Sequence, residues 1–96
     1  MLLKLGVSIE KLQPPARRAL DVIEAIFVAA GEEPVITSTF EGSHRASSLH
    51  YVNLAFDVRL PKTVKIEDVR IRLGADYDVI KELTHWHIEY DPIARG

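Results

Sequence analysis

The sequence predicts an α+β fold: a small antiparallel sheet with one long N-terminal helix packed on one of its faces. Two observations carry this. From Ala16 to Ala30 the apolar residues Leu20, Ile23, Ile26, Phe27 and Ala30 recur at helical spacing, with Arg17, Arg18, Asp21 and Glu24 on the other side. From Pro34 onward the chain turns mostly to short β-rich or alternating runs. One long helix followed mostly by strands is the order of an α+β domain with an antiparallel sheet.

The elements follow in order. Residues 1–12 read as a short arm or strand-like leader. Pro14 and Pro15 sit where a first helical turn tolerates proline, and Gly31 is placed to cap the helix at its end. Pro34–Ser38 (PVITS) is the first core strand. Residues 39–49 are polar, contain Gly42 and lack periodicity, which makes them a loop. In Asn53–Leu60 the apolar Leu54, Phe56, Val58 and Leu60 alternate with Ala55, Asp57 and Arg59, a second strand ended by Pro61. Ile66–Leu73 suggests a short helix closed by Gly74. Asp76–Ile80 and Trp86–Tyr90 are further strands, the last stopped by Asp91 and Pro92.

With 96 residues the chain is one domain, 1–96, with material for a single modest core. At 47% hydrophobic and 27% charged residues it has the composition of a soluble globular domain. The net charge of −2 comes from acidic and basic residues mixed along the chain. It provides neither the electrostatic footprint of a nucleic-acid binder nor a basic membrane patch. The absence of cysteine excludes disulfides, thiolate zinc fingers and cysteine nucleophiles, so any metal must be held by His, Asp or Glu. The leading MLLKLGVSIEKLQPP is too short in apolar length and too charged for a signal peptide, and no run reaches the length of a membrane span. Cytoplasmic synthesis without a signal peptide is the expectation.

The chemistry concentrates in the histidines. His44 and His50 lie in the central loop; His85 and His87 lie in the last strand. Side chains two apart on a strand share a face, so His85, His87 and Glu89 fall together, opposite Trp86, Ile88 and Tyr90. The latter face would bury against the helix. By the same alternation Asp57 faces away from the core, with Ala55 and Arg59. If the two strands are neighbours, their facing side chains lie about 5 Å apart at Cβ, close enough for one ion to bridge them. Ala55 leaves room above the sheet, and His50 could fold over it. Two histidines and an aspartate leave a fourth position open for water, as catalytic zinc sites do. A general base is then needed. Glu82 is the nearest carboxylate in sequence to the histidine pair, whereas Glu89 is expected to point along the strand away from it. His85 could hydrogen-bond a developing oxyanion, and Arg45 a substrate carboxylate. Each residue has an ordinary reading as well: Asp57 as a partner of Arg59, His44 as a loop surface residue, Tyr51 and Tyr90 as packing.

The stretch Ser48-Leu49-His50-Tyr51-Val52-Asn53-Leu54-Ala55-Phe56-Asp57-Val58 resembles the pattern S-x-H-x-x-G-x-A-x-D-[VI] of a family of zinc peptidases. Its members are the D-alanyl-D-alanine carboxypeptidases and dipeptidases and the L-alanyl-D-glutamate endopeptidases of phage lysis systems. The zinc-binding hedgehog signalling domain shares the pattern and the fold. His85-Trp86-His87 resembles the H-x-H element of the wider group, and the resemblance spans Thr37 to Pro92. It implies one zinc ion held by His50, Asp57 and His87, with Ser48 near the substrate and His85 assisting the chemistry. It also implies a peptidoglycan stem peptide as the substrate, and a phage or prophage product released to the cell wall. Asn53 stands at the pattern's glycine, and Asn is the residue that next best accepts a left-handed backbone. The position three before His87, where many members carry the catalytic acid, is Thr84. Glu82, five before, can fill the role only through a different local backbone.

Two other functions compete with the peptidase: a non-catalytic zinc-binding module of the hedgehog kind, and a zinc-dependent amidase with another substrate. Whether Glu82 reaches the site discriminates between catalysis and binding alone. Zinc itself is not separable by sequence from other divalent ions.

Overall fold

The structure is a computed structural model that describes residues 1–39 and 53–92. Its elements run β1 (Leu2–Leu3), α1 (Pro14–Ala29), β2 (Val35–Ser38), β3 (Ala55–Arg59), α2 (Ile66–Leu73), β4 (Tyr77–Lys81) and β5 (His85–Tyr90). The five strands form one sheet in the order β1-β2-β3-β5-β4.

The α+β class holds, with two corrections. The single long N-terminal helix is a 16-residue helix that follows a strand, and a second helix of 8 residues accompanies it. The sheet is mixed, because β1 runs parallel to β2, while β2–β3, β3–β5 and β4–β5 are antiparallel. Parallel neighbours need a crossover of a dozen or more residues, and α1 is that crossover. A two-residue strand carries no alternation to reveal it.

Helix α1 starts with Pro14 and Pro15 in its first turn, where a missing N–H costs nothing. It ends in a Schellman arrangement: Gly31 N–H donates to the Val28 carbonyl at 3.0 Å and Glu32 N–H to that of Phe27 at 2.9 Å. This requires the left-handed backbone that Gly31 supplies with φ 79°. Helix α2 occupies the predicted residues and closes at Gly74.

Both helices pack into one core. Ala16, Leu20, Ile23 and Phe27 of α1 and Val69 of α2 meet Ile36, Phe56, Val58, Val79, Trp86 and Ile88 of the sheet. Phe27 and Trp86 meet edge to face, 6.1 Å between centroids, so the α1–β5 contact is aromatic at its centre. Tyr77 donates its hydroxyl to the Pro15 carbonyl at 2.8 Å, tying β4 to the start of α1. The alternation in β5 is thus as expected: Trp86 and Ile88 are buried in the core while His85 and His87 face the other way.

Candidate metal centre

Asp57 and His87 are direct partners in the β3–β5 register, with Ala55 opposite Glu89 and Arg59 opposite His85. Strand pairing therefore places all of these side chains on the face away from the helices, as alternation predicted. That face is less open than expected at its centre. Asp57 is 8% exposed, because β3 has neighbours on both sides and the β5 side chains lie over it.

The ionisable groups touch one another. His87 Nδ1 is 2.9 Å from Asp57 Oδ1, and His87 Nε2 is 2.6 Å from Glu89 Oε1. The imidazole is thus held between two carboxylates. Burial disfavours its charge, but the hydrogen bonds to Asp57 and Glu89 outweigh burial and raise its pKa above the ordinary value. This corrects the expected direction of Glu89. It folds back along β5 onto His87, and its register partner Ala55 has only a methyl group to oppose that path.

His85 Nε2 lies 3.6 Å from Asp57 Oδ2 and 3.7 Å from Glu82 Oε1, so it stands between a buried and a half-exposed carboxylate. Its Nδ1 meets the Thr84 hydroxyl at 3.1 Å. The placement of Glu82 has a local cause. Lys81 pairs with Trp86, and Glu82 N–H donates to the His85 carbonyl at 2.8 Å, so Leu83 and Thr84 form a two-residue turn. Glu82 and His85 then face each other across the hairpin and share a side. Spacing counted along the chain misses this, because the chain reverses between the two residues.

Asn53 has φ 62°, the left-handed conformation expected of the residue at the pattern's glycine. Its carbonyl accepts from Gln13 N–H at 2.9 Å, which ties the entry of β3 to the start of α1.

His50, Ser48, Arg45, His44 and Tyr51 lie outside the described residues. Two of the three expected metal ligands, Asp57 and His87, are therefore in view, and they are adjacent. A further group was not foreseen. Among the described residues, Asp78, Glu89 and Asp91 bring carboxylate oxygens within 4.8 Å of one another, close enough to hold a metal ion. Register could have revealed part of it, since Asp78 is opposite Glu89. An all-carboxylate set suits hard cations and does not select zinc.

No family model, curated protein or solved structure matches the chain. Among the described residues, no helix is long and apolar enough to cross a membrane.

Proposed function

We propose that the chain is a zinc-dependent metallopeptidase that cleaves a peptide bond next to a D-amino acid in peptidoglycan stem peptides. The observation that carries the reading is the contact of Asp57 and His87 across β3 and β5, 2.9 Å apart and flanked by His85. Supporting it is the resemblance of the residues from Ser48 to Val58 to the zinc-peptidase pattern.

The chemistry of the donors fits the ion. Asp57 and His87 supply one carboxylate and one imidazole on adjacent strands, and with His50, which lies outside the described residues, as the proposed third donor they would make a nitrogen–oxygen set that zinc accepts with one position left for water. When bound, zinc would supply a Lewis acid able to activate water near neutral pH. Glu82, half exposed at the hairpin turn, takes the proton and returns it to the leaving amine. His85, within reach of both Asp57 and Glu82, donates a hydrogen bond to the oxyanion that develops on the substrate carbonyl. Ser48 and Arg45 bind the peptide. A phage or prophage origin and release to the cell wall accompany this substrate.

A non-catalytic zinc module is the second reading. It is favoured by the fact that, among the described residues, Glu89 touches His87 beside Asp57, while Glu82 approaches His85 at 3.7 Å.

The test is to incubate zinc-loaded protein with stem peptides carrying D,D- and L,D-bonds and follow new amine termini by mass spectrometry. Cleavage by the wild type, lost in His87→Ala and Glu82→Gln, is the expected outcome. A wild type that binds zinc and cuts none of the peptides overturns the peptidase in favour of the binding module.

A further inference from the structure

Glu89 is used neither as a ligand nor as an acid–base group in that reading, yet it is in close contact with His87. Its carboxylate oxygen is 2.6 Å from Nε2, and both side chains are largely buried, 17% and 13% exposed. Its placement is built into the sheet. On one side its register partner is Ala55, fully buried and too small to fill the space toward His87. On the other it is Asp78, and like charges directly opposite each other repel.

An imidazole can bind a metal through one nitrogen while the other keeps its proton. An acceptor on that second nitrogen decides which is which and fixes the plane of the ring. In His87 the two nitrogens face different partners, Nδ1 toward Asp57 and Nε2 toward Glu89. Two ligands of one ion must have their atoms close together. Asp57 Oδ1 and His87 Nδ1, 2.9 Å apart, meet that requirement.

We propose that Glu89 is the positioning residue of the metal centre: it accepts the Nε2–H of His87 and thereby commits Nδ1 to the ion that Asp57 also binds. The assignment rests on the metal-site reading above. It gives Glu89 a role that its neighbours Asp78 and Asp91 lack, although all three belong to one acidic group.

The experiment measures zinc affinity by chelator competition in the wild type, Glu89→Ala, Glu89→Gln and Asp21→Ala, with circular dichroism to verify folding. Loss of an outer carboxylate on a metal-bound histidine weakens binding by about 10–100-fold, and that is the fall expected for Glu89→Ala. Glu89→Gln, which keeps an acceptor oxygen, recovers part of it, and Asp21→Ala, at an exposed position of α1 on the other side of the sheet, leaves affinity unchanged. Nitrogen-15 spectra of the zinc-loaded wild type, histidine-labelled, supply a readout that needs no variant. They are expected to show His87 protonated at Nε2 and metal-bound at Nδ1. Wild-type affinity in Glu89→Ala, or a metal shift on Nε2, overturns the proposal while leaving the metal site standing. A wild type that binds no zinc removes the metal reading and this assignment together.

Discussion

Asp57 and His87 come from strands that are not consecutive in the chain, yet they face each other in register and touch at 2.9 Å across 30 residues of sequence. With Asp57 as a ligand of the proposed zinc site, removing the carboxylate is expected to act on both metal and fold. Asp57→Ala is expected to weaken zinc binding more than Glu89→Ala, beyond about 100-fold. It also loses about 1.5–3 kcal/mol of stability, the usual worth of a hydrogen bond to a charged group. Chelator competition and urea unfolding measure the two effects. Undiminished zinc affinity in this variant would exclude Asp57 as a ligand.

The aromatic contact at the centre of the core sets a second expectation. Phe27 is 1% exposed and packs edge to face on Trp86. Phe27→Ala is expected to cost about 3–5 kcal/mol, combining lost burial with the cavity left behind. That is a large share of a small domain's stability, about 5–15 kcal/mol. Trp86 is the single tryptophan, so its fluorescence follows the transition directly. A loss under about 1 kcal/mol would mean that the core refills the space.

Acid sensitivity is expected from Glu32, just past the end of α1. Its carboxylate accepts from the backbone N–H groups of Lys62, Thr63 and Val64 and from the Thr63 hydroxyl. The Lys62 backbone hydrogen bond leads, and with the Thr63 hydroxyl it holds the pKa down to about 2 from 4.5. A folded pKa below the unfolded one means stability present in full above about 4.5 and lost as the pH falls toward about 2. Glu32→Gln should therefore be less stable than the wild type at pH 7, with the gap closing across that window. Urea unfolding at several pH values reads the difference, and a gap independent of pH would show that the charge contributes nothing.

Asn53 combines a left-handed backbone with a side-chain oxygen that is buried and without a hydrogen-bond partner among the described residues. Glycine meets the backbone demand without strain and removes the unpaired oxygen. Asn53→Gly is expected to raise stability by about 0.5–1 kcal/mol, and Asn53→Ala to lower it by a similar amount. Thermal unfolding distinguishes the two, and destabilisation by glycine would point to a contact made by the amide.

Much of this arrangement is legible in the sequence. Gly74 and Gly31 mark helix ends, and the alternation of residues 85–90 sorts Trp86 and Ile88 from His85 and His87 because strand geometry has a period of two. The parallel β1 was not legible, since Leu2–Leu3 is too short to carry a pattern. Within the site, backbone alternation placed Glu89 on the correct face but gave no information on its side-chain torsions, so the fold-back onto His87 was missed. Sequence proximity alone points to Glu82; the two-residue turn that brings it beside His85 is a property of hairpin closure.

The order of the strands also has a consequence in time. β4 and β5 are joined by a tight turn, and such hairpins form in about 1–10 μs. β3 must close a much longer segment before it can pair with β5, and non-local pairing of this kind is slower. Glu82, His85, His87 and Glu89 can therefore assemble on the hairpin while Asp57 is still remote. Any chemistry that needs Asp57 and His87 together is withheld until β3 has paired with β5.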